Sequence, residues 1–194
     1  MLQEKEFDIL SNIESSQKIP TQRVLARLTG YSIGTVNSTL SLLEEKGFME
    51  SGRITSAGLD ALEPFRVKRI IFIAAGFGTR LVPITLNTPK PLVRVHGERI
   101  IDSMLDAANH AGIQEIYIVR GYLSEQFDQL LYKYPNIKFI ENPAYNEANN
   151  ISSAMCARYN FGNSYICEAD LIIKNPKLIT KYQHSYYTNE AEIS

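Results

Sequence analysis

A chain of 194 residues exceeds the roughly 100–150 residues of a common single domain, and its 44% hydrophobic and 21% charged content excludes a disordered or fibrous polymer. With 20 Lys and Arg against 21 Asp and Glu, the formal net charge of −1 excludes a global field that would draw the protein to nucleic acid or to an anionic membrane. Glu4, Lys5, Glu6 and Asp8 stand where a signal peptide needs a basic and then an apolar region, and no apolar run is long enough to span a bilayer, so a cytoplasmic, non-membrane protein is expected.

In chain order, apolar residues first recur at helical spacing in Phe7, Leu10 and Ile13, then in Val24, Leu25 and Leu28, then in Val36, Leu40 and Leu43, which predicts three short helices. Thr29-Gly30-Tyr31-Ser32 separates the second stripe from the third as a glycine turn followed by a helix-capping serine, the punctuation of a helix-turn-helix. After Lys46-Gly47, the segments Phe48-Met49-Glu50 and Arg53-Ile54-Thr55 flank Ser51-Gly52, which predicts a two-stranded wing. Residues 1–66 therefore resemble a winged-helix domain of the kind found in bacterial regulators, and residues 67–194 are expected to form a second domain.

From Lys68 the pattern changes. Residues 70–74 read as a strand that runs into a glycine-containing loop, 100–108 as a helix, 116–119 as a strand and 123–131 as a helix. Residues 137–141 read as a strand, 142–150 as a polar loop, 152–159 as a helix and 164–168 as a strand. This alternation predicts an α/β domain with a mainly parallel sheet and crossover helices. Cys156 and Cys167 have no metal-type spacing and read as small buried apolar groups, while His96, His110 and His184 are isolated and are assigned no chemistry.

Chemistry concentrates in Ala74-Ala75-Gly76-Phe77-Gly78-Thr79-Arg80-Leu81, continued by Pro83, Thr85 and Thr88-Pro89-Lys90-Pro91-Leu92. An apolar strand leading straight into two glycines lets backbone N–H groups approach a polyanion, and Arg80 and Lys90 bring positive charge to it. The Walker pattern is absent, and the glycines alone would equally suit a tight turn. At the other end of the segment, Asp170 follows a strand where an open α/β sheet presents ligands, and a carboxylate beside phosphates suits Mg²⁺, with helix capping as its bland alternative.

The full string resembles the signature of the nucleotidyltransferases that make nucleoside-diphosphate sugars and alcohols, Gly-x-Gly-x-Arg followed by Pro-Lys-Pro. The resemblance implies a Rossmann-like fold in which the loop from Ala74 to Thr79 holds the nucleotide triphosphate, Lys90 contacts phosphate at the reacting centre and Arg80 neutralises departing pyrophosphate. Asn149-Asn150-Ile151-Ser152-Ser153 resembles the Asn-Asn-x-x-Ser pattern of bacterial choline-phosphate cytidylyltransferases, and Gly121-Tyr122 agrees with the same group, the match running over 68–170. It assigns Gly121, Tyr122, Asn149, Asn150 and Ser153 to nucleotide binding, although the two asparagines alone would also read as a loop and a helix cap. Relatives end the last strand in Asp-x-Asp, whereas here Glu168-Ala169-Asp170 leaves Asp170 as the Mg²⁺ ligand and Glu168 as a second candidate.

The implied reaction is attack by a phosphate oxygen of a small phosphorylated alcohol, phosphocholine first, on the α-phosphorus of CTP, with pyrophosphate leaving. Family members continue for further strands that supply the acceptor pocket and a second aspartate, so this chain is expected to bind nucleotide without efficient turnover. The alternatives are a sugar-1-phosphate nucleotidyltransferase and a nucleotide-sensing regulator that binds DNA through the winged helix. Against DNA stands an acidic first domain: Lys5, Lys18, Arg23, Arg27, Lys46, Arg53 and Arg66 face nine acids. Its recognition helix offers Ser32, Thr35, Asn37, Ser38 and Thr39 but no Arg or Lys before Lys46. Domain docking or homodimer formation is the expected use of that domain.

Overall fold

The computed structural model describes residues 2–16, 18–147 and 150–184, Asn150 by its backbone only. Two compact units emerge, one made of the chain up to Arg66 together with the segment from Tyr182, the other of Val67–Lys181.

In the first unit, α1 (Glu4–Glu14) buries Phe7, Ile9, Leu10 and Ile13, α2 (Gln22–Thr29) buries Leu25, and α3 (Ile33–Glu45) buries Val36 and Leu43. The helix ends follow from local chemistry. Thr21 accepts a hydrogen bond from Val24 N–H to open α2, Gly30 closes it at φ 74°, and Ser32 accepts from Thr35 N–H at 3.1 Å to open α3. The hairpin β1 (Met49–Glu50) and β2 (Arg53–Ile54) is antiparallel, and Ser51 and Gly52, both at positive φ, supply the turn that matches the twist of its strands. A further helix, α4 (Ser56–Leu62), follows at once, capped by Thr55. On α3, Ser32 is taken up in capping, Asn37 Oδ1 accepts from Gln22 Nε2 at 3.0 Å, and Thr39 is buried.

Segment 182–184 completes this core. Tyr182 is buried, Gln183 N–H donates to Phe65 O at 2.9 Å, and His184 stacks on Phe65 with centroids 5.2 Å apart. Phe7 closes the trio at 4.9 Å from Phe65. The second unit thus ends at Lys181.

In the second unit, β3 (Arg69–Ile73) runs into the glycine loop, and a small antiparallel hairpin of β4 (Arg94–Val95) and β5 (Glu98–Arg99) turns at His96-Gly97. It leads to α5 (Asp102–His110), then to β6 (Glu115–Arg120), β7 (Ile137–Glu141), α6 (Asn150–Ala157) and β8 (Ser164–Glu168). Among the described residues the main sheet has four strands in the order β7-β6-β3-β8, all parallel, with Phe72 paired to Ile118 on one side and Cys167 on the other. Alternation along the strands sends Ile70, Phe72, Ile116 and Ile118 into a core with Met104 and Leu105 of α5 and with Phe127, Leu130 and Ile179. Ile71 and Val119 point to the other face and pack on Ala157 of α6. This is the doubly covered, Rossmann-like α/β layering expected from the sequence.

Both cysteines are half-buried, Cys156 against the α6 face and Cys167 against the α5 face, where burial pushes its thiol up to about 12. No helix among the described residues is long and apolar enough to cross a membrane.

One expected helix takes another form. The segment after β6 is a run of 3-10 turns over Ser124–Tyr132. Leu123 opens it at φ 47°, Gln126 N–H closes back on Leu123 O at 3.0 Å, and Ser124 O is engaged by the Arg120 guanidinium at 3.1 Å. A carbonyl occupied from outside and a left-handed first residue favour the tighter turn.

A buried charge ties α1 to α3. Glu6 is 1% exposed, its carboxylate accepting from Gln3 N–H at 3.0 Å and from Lys46 Nζ. Burial alone would raise the Glu6 carboxyl, but the hydrogen bonds from Lys46 and Gln3 and the Lys46 charge hold it below 4.5. A carboxyl that titrates lower when folded contributes stability in full above about pH 4.5 and loses it as pH falls through the folded value. Because Lys46 is 37% exposed, Lys46→Met is expected to destabilise the first unit by about 1–2 kcal/mol near neutral pH, less than a fully buried pair would. Melting followed by circular dichroism from about pH 7 to about pH 3 should show a shallower acid decline in Lys46→Met than in the parent; equal slopes would remove Glu6 from the acid response.

Candidate nucleotide site

All four strands of the main sheet point the same way, so the loops that follow them gather at one edge. From β3 the chain moves outward to β6 and β7 and then crosses back to β8 on the other flank of β3. The reversal makes the carboxyl end of β3 the switch point where open α/β sheets form their crevice.

The glycine loop is anchored there. Ala74 and Ala75 are buried; Ala74 N–H donates to Val119 O at 2.8 Å, and Ala75 O accepts from Tyr122 N–H at 3.1 Å, so the loops after β3 and β6 are bonded together. Gly76 is exposed and faces open space, whereas Phe77 packs its ring on Tyr122 at 4.3 Å. Gly78 sits at φ 69°, and a Cβ there would lie 3.2 Å from both Lys90 Cβ and Thr85 Cγ2. Thr85, fully buried, donates its hydroxyl to Gly78 O at 3.0 Å and so fixes the peptide that precedes Thr79 and Arg80. Thr79 and Arg80 are exposed on the following turn, and Arg80 has no ion-pair partner among the described residues.

Lys90 and Asp170, separated by eighty positions in the chain, form an ion pair whose side chains are 35% and 24% exposed. Buried Pro89 and Pro91 hold the lysine backbone, and Asp170 follows buried Ala169, whose N–H donates to Ile73 O at 3.1 Å. Glu168 ends β8 in register with Ile73 and is exposed. Among the described residues no three His, Cys, Asp or Glu side chains cluster as a metal cage. Asp170 is a single carboxylate at the carboxyl edge of the sheet, and Mg²⁺ is commonly held by one or two carboxylates together with a substrate's own phosphates.

Beyond β6, Gly121 has no room for a side chain, since a Cβ would stand 2.6 Å from Tyr145 Cβ; Tyr122 donates its hydroxyl to Leu86 O at 2.9 Å. Ser153 is buried in α6, where its hydroxyl accepts from Asn142 Nδ2 at 3.0 Å. Asn142 also donates to Ser152 Oγ and accepts from Ala144 N–H, each at 3.0 Å. Asn149 lies outside the described residues, and Asn150 opens α6 as backbone. The structure therefore brings together the glycine loop, Gly121-Tyr122, Lys90 and Asp170, and directs Ser153 inward. Thr85, Asn142 and Tyr145 shape the loops without having been singled out as site residues. Thr85 stands inside the glycine signature, which was the only sequence signal for any of the three.

A methyl group at the two loop glycines should act differently. Gly78→Ala meets both a left-handed backbone and two close neighbours and is expected to lose about 1 kcal/mol or more, several degrees in melting temperature, while Gly76→Ala leaves melting unchanged. Thermal denaturation of the two variants checks this, and equal losses would contradict the loop geometry.

Comparison with known proteins finds relatives for both units. Residues 69–188 match the nucleotidyl transferase family, and residues 5–64 match a family described as Firmicute plasmid replication protein (RepL). Over 107 residues the chain is 46% identical to a 2-aminoethylphosphonate cytidylyltransferase of Lancefieldella rimae, covering 54% of this chain and 44% of that protein. Over 102 residues it is 41% identical to a choline-phosphate cytidylyltransferase of Streptococcus pneumoniae, covering 53% and 44%. The solved structure of the CTP:phosphocholine cytidylyltransferase from Streptococcus pneumoniae matches with a TM-score of 0.56 at 40% identity, covering 60% of this chain and 50% of that one. The chain spans about half the length of these relatives.

Proposed function

Because the chain belongs to the nucleotidyl transferase family, we propose that its second unit binds CTP and serves transfer of the cytidylyl group to a small phosphorylated alcohol, phosphocholine in the first instance. The observation that carries this reading is the convergence of an anchored glycine loop with Lys90 and Asp170 at the carboxyl end of the central strand. In the reaction, an anionic phosphate oxygen of the acceptor forms a bond to the α-phosphorus while the bond from that phosphorus to the pyrophosphate oxygen breaks. No general base is needed, and the protein's contribution is alignment and charge stabilisation.

Under this reading the N–H groups of the loop from Ala74 to Thr79 cradle the triphosphate, Arg80 reaches from the surface to the departing pyrophosphate, and Lys90 bears on the reacting phosphate. A Mg²⁺ ion held by Asp170, with Glu168 nearby as a further carboxylate, would draw charge from the phosphate oxygens. The names of the similar proteins support cytidylyl transfer more firmly than any one acceptor, since they include 2-aminoethylphosphonate as well as choline phosphate.

DNA binding by the first unit is the second reading and draws on its RepL match. Its acidic balance weighs against it, as does a recognition helix whose capping, paired and buried side chains leave few groups to read bases. Fluorescence anisotropy with duplex DNA at about 150 mM salt separates the readings.

The nucleotide site is tested by thermal-shift titration of the whole chain with CTP, UTP, dTTP, ATP and GTP, each with Mg²⁺, repeated on Lys90→Ala. The expected outcome is selective stabilisation by CTP and at least about tenfold weaker binding by the variant, the order of a lost charge-assisted hydrogen bond. Pyrophosphate release with phosphocholine and with 2-aminoethylphosphonate is expected to stay low, in keeping with nucleotide binding without efficient turnover, and a difference between the two assigns the acceptor. No shift with any nucleotide would overturn the reading.

A further inference from the structure

Resting on the nucleotide reading, we propose that the Lys90–Asp170 ion pair is a latch that couples divalent-cation binding to phosphate binding, so that neither group is available to a ligand until the other is relieved. In the structure the ammonium that should meet a phosphate is spent on the carboxylate that should meet a cation. A cation approaching Asp170 meets the like charge of Lys90 beside it, and a phosphate approaching Lys90 meets the like charge of Asp170.

Three features make this a switch rather than a fixed strut. Both backbones are held, Lys90 between buried prolines and against Gly78, and Asp170 by the bond from Ala169 to Ile73, so the exchange needs only the flexible four-carbon lysine stem to swing. The pair is also neither buried nor free. With side chains 35% and 24% exposed it is partly shielded from solvent, yet water and ligand can reach it. Arg80 offers the contrast: it is exposed, has no ion-pair partner among the described residues, and can meet an anionic ligand while Lys90 is still engaged. A cation at Asp170 releases Lys90 to the phosphates, and by linkage a phosphate at Lys90 raises the affinity of Asp170 for the cation by the same factor.

The experiment uses the whole chain and two simple probes. Inorganic tripolyphosphate in EDTA is titrated by calorimetry into the parent, Asp170→Asn, Lys90→Met and the double variant. Mn²⁺ without phosphate is titrated into the parent, Lys90→Met and Arg80→Met. The latch predicts that Asp170→Asn binds metal-free tripolyphosphate about fivefold more tightly than the parent and that this gain disappears in the Lys90→Met background. It also predicts that Lys90→Met, but not Arg80→Met, binds Mn²⁺ about fivefold more tightly. A gain that persists without Lys90 would reduce the effect to removal of a repelling carboxylate and overturn the latch. Tripolyphosphate binding with no gain in Asp170→Asn would overturn it while sparing the nucleotide site. Failure of every variant to bind either probe would overturn both readings together.

Discussion

Hydrogen bonding along both edges of one strand organises the second unit. Strand β3 pairs in parallel with β6 on one side and β8 on the other, and that double pairing aligns the ends of three strands separated by long stretches of chain. The bonds continue past the strands themselves, from Ala74 to Val119, from Tyr122 to Ala75 and from Ala169 to Ile73. Each of these fixes the first peptide of a loop, so the glycine loop, Gly121-Tyr122 and Asp170 leave the sheet from one common plane. Without that alignment Lys90 and Asp170 would have no reason to meet.

Placement of the site follows from how the layers are covered. The α5 face and the α6 face both need apolar strands, and Ile70 to Ile73 are apolar without interruption, as a strand buried on both faces requires. Polar chemistry is then displaced to the carboxyl edge, where backbone groups are no longer consumed by the ladder. Glycines there are used for space as much as for backbone freedom: Gly121 admits Tyr145, and Gly78 lets the chain pass Lys90 and Thr85 at close range. Half-buried Tyr122 on Leu86 and fully buried Thr85 on Gly78 stiffen loops that have little regular structure of their own.

The first unit works by different means. Its helices are punctuated by local caps, and its core is small, so a single buried carboxylate and a borrowed aromatic segment have weight there. Glu6 answers to Lys46 at the C-terminal cap of α3, and Phe7 and Phe65 close over His184 from the far end of the described chain. On α3, Ser32 is taken up in capping, Asn37 in pairing with Gln22 and Thr39 in burial.

Much of this was already written in the sequence, for identifiable reasons. Period and punctuation are local properties, so the three helices, the Ser51-Gly52 hairpin and the strands at 137–141 and 164–168 could be read from neighbouring residues. So could the glycine loop, because its turn is built from one continuous stretch of backbone. What only the tertiary structure decided depends on residues far apart in the chain. The segment expected as a helix after β6 is a run of 3-10 turns whose Ser124 O is met by the Arg120 guanidinium, and Tyr182 finds its burial in the first unit rather than with the residues that precede it. Asn142 draws Ser153 inward, and Lys90 and Asp170 become partners across the switch point of the sheet. Sequence spacing carries no record of such pairings, because the energy that selects them arises only after the strands have aligned and water has been partly excluded.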